Sequence, residues 1–308
     1  MQQPLCRPGG LSFVALFAAS LALLLVLDLP TAQAQVEGKR VEFSLTVDRV
    51  NNADNSDEDP ELRVRRQREI NEEVIRRIET RLEAMGLHSH NVRTGDNRLI
   101  RVTVYGRHSE AAIKSAIIPP GRLEIRPVLV DGSPWLNVAA ELPPEVDLIP
   151  EPGSFRTDRL FLFSHSARHL REAIATLGSE DTQFEVFPHE DGWRTLHLGS
   201  VAATERDISD VSISRNPSGI PFVSVTLSSN AAQDVRADAA AGQVRHLAII
   251  VDGEVVALHR FSDRRFSETL DIDPPRHLSS TTARNQWAMQ VAGRLAAPLP
   301  IRLAEMQE

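Results

Sequence analysis

Histidine pairs are the first residues here whose types and spacing could do chemistry. His165 and His169 stand four apart in a segment with helical patterning, and i,i+4 histidines on one helix face can share a zinc ion. Zinc needs three or four protein ligands, and the sequence marks out no third. His88 and His90, one residue apart near a helix end, read as solvated or helix-terminus histidines. His189-Glu190-Asp191-Gly192-Trp193 begins like the zinc-protease pattern H-E-x-x-H, but its fifth residue is Trp193. The acidic run NNADNSDEDPE, Asn51–Glu61, lacks the sixth-position glycine and the spaced final glutamate of a calcium loop, so it reads as a solvated linker. There is no G-x-S-x-G elbow, G-x-G-x-x-G turn or phosphate-loop lysine. The expectation is a non-enzymatic protein with no catalytic residue, no metal ligand and no cofactor.

The N-terminus carries an export signal. Arg7 is followed by an apolar stretch from Leu11 to Leu27, halted by Asp28 and Pro30, and then by Ala32-Gln33-Ala34. That order predicts a signal peptide over residues 1–34, cleaved after Ala34; retained, it would be a membrane anchor. The only cysteine, Cys6, precedes the apolar stretch, so the mature part has no disulfide, thiolate metal site or cysteine nucleophile. Cleavage removes Arg7 and Asp28 together, leaving the net charge at −8, a balance that argues against nucleic acid as partner. After Gln35 no apolar run reaches the roughly 18 residues of a spanning helix. A soluble periplasmic protein is expected.

The rest of the chain alternates strands and helices. Val41–Val47 alternates as a strand, and Ile70, Val74, Ile78 and Leu82 repeat every four residues as a helix that Gly86 stops. Leu99–Tyr105 is a strand, Ser109–Ile117 a short helix with Ser109 as N-cap, and Leu123–Val130 a strand that Pro127 makes an edge or a bulge. Residues 131–158 are proline-rich and acidic, an irregular connector. Beyond it come a strand at Leu160–Phe163, a helix at Ser166–Leu177, and a hairpin of Gln183–Phe187 with Trp193–Leu198. Strands follow at Phe222–Leu227, His246–Val251, Glu254–His259 and Phe266–Ile272, with Asp252-Gly253 as a tight hairpin turn. Helices at Asn230–Ala240 and Ser279–Leu295 and a closing strand at Leu299–Leu303 complete the pattern.

This pattern is α+β: two open-sheet, sandwich-like (ferredoxin-like) subdomains with helices packed on one face. Trp287 falls on the apolar face of the last helix with Val291 and Leu295, a core position. Trp193, after a turn, fits either a core or a contact. Trp135, in the proline-rich connector, is the candidate exposed contact residue.

Two stretches resemble the large periplasmic domain of SecD, an accessory subunit of the bacterial Sec export machinery. Asn71–Val130 does so through RLEAMGLHSHNV, LIRVTVYG and GRLEIRPVLVDG, in that order. Asp207–Leu303 does so through Asp207-Ile208-Ser209-Asp210-Val211, the strand Pro221–Leu227, the segment His246–Val255 (HLAIIVDGEV) and Ala297-Pro298-Leu299-Pro300. Gly38 alone stands where the family has two glycines, and Tyr105-Gly106 replaces its Pro-Gly. The chain ends at Glu308, where the family's membrane helices would begin, so a proton-driven cycle of the family's kind is not expected.

The resemblance implies a division into residues 1–34 (signal peptide), 35–61 (first strand and acidic loop), 62–132 (SecD-like base), 133–206 (connector or insert) and 207–308 (SecD-like head). It implies a module that assists protein export, with exported or unfolded polypeptide, and Sec translocon subunits, as partners. The alternative is a periplasmic binding or scaffold protein that kept the fold outside the Sec machinery. Nucleic acid is not an expected partner, and the membrane is one only through an uncleaved leader.

Overall fold

A strand and a long helix open the architecture. Strand β1 (Lys39–Val47) sends Val41, Phe43 and Leu45 to one face and leaves Glu42 on the other. In this computed structural model the described residues are 39–47, 59–95, 99–129, 135, 141–150, 160–176, 183–189, 191–241, 244–261 and 266–305. The predicted signal peptide, its cleavage point at Ala34, residues 51–58 of the acidic loop, the Asp131-Gly132 turn, Gly178 and Glu190 lie outside them. Residues 39–308 hold all the described positions and cluster as one unit.

Helix α1 (Pro60–Ala84) starts earlier than its periodicity predicts. Asp59 caps it by accepting the Glu61 N–H at 2.9 Å, and Pro60 takes the first helical position, where no N–H is needed. Its opening turns bury nothing, which is why a search for an apolar stripe begins only at Ile70. Leu62 and Val64 are 49% and 61% exposed. Further on, Val74, Ile78 and Leu82 are fully buried, and Gly86 ends the helix at φ +74°.

Strands β2 (His90–Thr94) and β3 (Leu99–Gly106) form an antiparallel pair, and β3 also lies antiparallel to β1. Helix α2 (Glu110–Ile117) follows, with Ser109 Oγ accepting the Ala112 N–H at 3.2 Å as the sequence predicts. The other edge of this sheet is not the next strand in the chain but Leu303–Glu305, antiparallel to β1. The result is a β-α-β-β-α-β ferredoxin-like unit whose last strand comes from the far end of the sequence. Both helices pack on the face that carries Val41, Phe43, Leu45, Ile100, Val102 and Val104.

Strand β4 (Leu123–Leu129) leaves the base and becomes an interior strand of an eight-stranded sheet. In this sheet β5 (Asp147–Pro150) pairs with β6 (Leu160–Ser164), and helix α3 (Ala167–Thr176) leads to the hairpin β7 (Gln183–His189) and β8 (Gly192–Leu198). Along one side β4 pairs first with the short β9 (Ala203–Thr204) and then with β8. Pro127 sits where the partner changes, its carbonyl accepting the Gly199 N–H at 2.8 Å. Of the two expectations, an edge or a bulge, the edge is corrected: the strand is interior, and an interruption on its partner side, where β9 gives way to β8, accommodates the missing proline N–H.

The last third adds β10 (Ile208–Arg215), β11 (Pro221–Leu227), α4 (Ser229–Ala241), β12 (His246–Val251), β13 (Glu254–Arg260), β14 (Thr269–Ile272), α5 (Thr281–Ala296) and the closing β15 (Leu303–Glu305). Strands β10, β11 and β14 make a separate three-stranded antiparallel sheet. β12 pairs with β4, Ile249 opposite Ile125 and Val251 opposite Leu123. The head core lies between these sheets and the two helices, and includes Ile125, Val225, Val235, Leu247, Val291 and Leu295. Each such side chain contributes about 1.5–3 kcal/mol through burial. The α+β class is as predicted.

Candidate functional site

The most unusual chemistry is buried where base and head meet. Arg81, in the last turn of α1, is 0% exposed. Its position three residues beyond Ile78 places it on the apolar stripe, a signal legible in sequence but passed over among many arginines. Its Nε donates to Ala297 O at 2.8 Å, Nη1 to Ile117 O at 3.1 Å and Nη2 to Pro120 O at 2.9 Å. Longer bonds reach Ala116 O at 3.3 Å and Arg294 O at 3.5 Å, and Nη1 also meets Pro119 O. These carbonyls come from the C-terminal ends of α2 and α5 and the prolines after α2. Helix ends leave carbonyls unpaired and carry the negative end of the dipole, so a guanidinium suits them.

Burial pushes the Arg81 guanidinium down to about 9, the Asp252 carboxylate opposes that fall, and Arg294 and Arg77 add to it. The group is therefore still charged at neutral pH. Asp252 and Gly253 form the β12–β13 turn with φ of 54° and 88°, the positive pair that a two-residue hairpin loop requires. Asp252 Oδ1 accepts the N–H groups of Gly121 and Arg122 at 2.6 and 2.9 Å, while Oδ2 receives Arg294 Nη1 at 3.0 Å. Gly121 has φ +76°, and a Cβ there would stand 2.3 Å from Arg294 O. Helix α5 completes the joint: Gln290 Nε2 donates to Ser115 Oγ at 2.8 Å on the base side, while Ala288, Val291 and Leu295 enter the head core. This constellation holds charge and shape; it presents no activated nucleophile.

The sequence-predicted positions are scattered. His165 lies in the bend before α3, not on the helix, so helical spacing to His169 does not apply; its Nδ1 is 3.2 Å from Asp191 O. His88 is exposed, and His90 opens β2 with Nδ1 2.7 Å from Leu87 O. His189 and Trp193 flank a hairpin turn rather than sharing a helix. Among the described residues no group of three His, Cys, Asp or Glu side chains could hold a metal ion.

Trp135 is a correction. It is 1% exposed, with its ring centroid 4.3 Å from that of Phe184, in a small core with Val146, Leu162, Leu170 and Ala173. Val146 comes from the stretch that looks like an irregular connector, while Leu162, Leu170, Ala173 and Phe184 come from the elements beyond it, and together they bury the tryptophan. Trp193 packs against the same core, and Trp287, half-buried, packs on the head core as expected.

Two further titratable groups stand out. Burial pushes His259 below its usual value against the pull of Asp271, and burial raises the Glu185 carboxyl. Ser224 Oγ donates to Asp271 Oδ1 at 2.7 Å, so its proton faces a carboxylate rather than an imidazole base. None of the described helices is long and apolar enough to cross a membrane.

The fold defines an α+β protein in which a ferredoxin-like four-stranded sheet accompanies an eight-stranded and a three-stranded sheet. No protein-family model and no curated protein matches the chain. Among solved structures it is similar to a SecDF in a super-membrane-facing form, at 18% identity and a TM-score of 0.47 over 88% of this chain. It is similar to a structure of SecDF described as a membrane component that enhances protein export, at 18% identity and 0.45, covering 87% of this chain and 99% of that one. A Thermus SecDF, described as translocon-associated, follows at 18% and 0.31, covering 87% of this chain and 30% of that one. The chain spans 30% of the length of the first. At these scores the likenesses carry no functional argument.

Proposed function

We propose that this protein is a non-enzymatic, SecD-like periplasmic module that contacts exported or unfolded polypeptides beside the Sec translocon. One observation supports the reading above others. The two sequence stretches that resemble the SecD periplasmic domain meet as neighbouring strands, β4 and β12, with Asp252 of one clamping Gly121 and Arg122 of the other. Two stretches far apart in sequence thus serve a single joint.

A photoreactive amino acid placed at the exposed positions Val201 and Ala237 tests the reading in the native host. Crosslinks to translocon subunits or to chains in transit are expected. Products that contain neither would overturn it, and a different stable partner together with normal export after deletion would identify a scaffold instead.

A further inference from the structure

Among the described residues strand β10 ends the three-stranded sheet and pairs on one side only, with β11. Its hydrogen-bond phase is set at the hairpin, where Asn216 N donates to Ile220 O at 3.0 Å. Bonded pairs recur at every second residue of an antiparallel ladder. Ser214 and Ser212 therefore exchange bonds with Phe222 and Ser224, and the backbone groups of Val211, Ile213 and Arg215 point away from β11. Pro221, opposite Arg215, has no N–H to offer, as this phase requires. No strand among the described residues pairs with those outward groups.

The side chains along this edge match its open backbone. Ile213 stands opposite Val223, which is fully buried, yet Ile213 is itself 42% exposed even though helix α5 packs against β10. Sheets usually blunt such edges with lysine, proline or short strands. β2 has five residues and carries Arg93, β5 ends in Pro150, β15 has three residues, and β13 lies against β14. β10 has eight residues and neither lysine nor proline; its irregularity between Ile208 and Asp210 and its charged Asp210 and Arg215, the latter bonded to Gly219 O and Asn285, lie toward its ends and leave Val211–Ser214 as the open run.

We infer that the outer edge of β10 is a strand-addition site for an extended polypeptide segment. An unpaired run of alternating donors and acceptors is complementary to another extended backbone. The segment places apolar side chains beside Ile213 and polar ones beside Ser212 and Ser214. This rests on the proposed function and gives it a place where an unfolded chain sits.

The test uses the full chain and a fluorescein-labelled peptide of roughly eight residues alternating valine and threonine. Its anisotropy should rise on binding. Amide exchange at Val211, Ile213 and Arg215 should slow about tenfold or more, while Ser212 and Ser214, already bonded to β11, stay unchanged. Ile213→Lys should weaken binding about tenfold and Ile213→Val should retain it, with thermal melts verifying that both fold. Equal binding of a peptide N-methylated at every second residue would overturn the inference. So would protection confined to other strands, or protection that grows with protein concentration alone, which marks pairing between two copies. If crosslinks from Val201 and Ala237 to exported chains persist while β10 gains no protection, this inference fails alone. Protection without those crosslinks sinks the export reading and leaves the peptide site standing.

Discussion

The carboxylate of Asp252 accepts the Gly121 amide at 2.6 Å, joining the tip of a head hairpin to the turn by which the chain leaves the base. Its second oxygen holds Arg294, whose carbonyl in turn lies in reach of Arg81. Asp252→Asn keeps a residue that tolerates positive φ but removes the carboxylate that bonds Gly121, Arg122 and Arg294. A loss of about 1–3 kcal/mol is expected from urea unfolding, and Asp252→Ala should lose more. No change in midpoint for either variant would show the clamp to be dispensable.

Arg81→Met should cost about 3–5 kcal/mol, since burial leaves the surrounding carbonyls without donors. Arg81→Lys should rescue little of this, because an ammonium cannot reproduce the planar fork that reaches two helix ends. Chemical denaturation of the two variants side by side decides the point; full rescue by lysine would reduce the site to a simple charge.

Gly121 and Gly219 share φ +76° but differ in surroundings: nothing lies within 4 Å of a Cβ at Gly219. Gly219→Ala should therefore show only backbone strain, about 1–2 kcal/mol. Gly121→Ala adds a clash with the Arg294 carbonyl and should lose about 3 kcal/mol or more. Matching melting temperatures would contradict the close approach of the turn to α5.

His259 gives the head a defined pH response. Burial, opposed by Asp271, holds its folded value below the ordinary 6.5. The unfolded state then takes up the proton first, so this contribution is intact above the unfolded value and is lost as pH falls through the folded one. Urea midpoints at about pH 8 and about pH 5 should separate further for the wild type than for His259→Gln. Parallel changes in both proteins would remove His259 from the explanation.

Local chemistry was legible residue by residue. Ser109 caps α2, Gly86 ends α1 and Asp252-Gly253 turns β12 into β13, because each is dictated by neighbours a few positions away. The expected hairpin of β7 with β8 also formed. Strand β2 is hard to see in sequence because His90–Thr94 has one buried apolar residue, Val92, and five residues offer little pattern to read. Trp135 looks exposed in sequence because its covering partners come largely from β6, α3 and β7, and no local rule brings those together. Arg81 and the open edge of β10 depend on the same non-local information: a charge is recognised as buried, or a strand as unpaired, only once its neighbours are known.

The base sheet has a consequence for the order in which the protein assembles. Its first strand pairs Leu45 with Glu305, so that strand cannot complete its pairing until the chain has emerged as far as Glu305. A chain delivered from its N-terminus can form α1, β2 and β3 beside β1 while one flank of β1 stays bare. Closing that flank is a slow, high-contact-order step, so β15 acts as a latch on a sheet whose other strands are already in place.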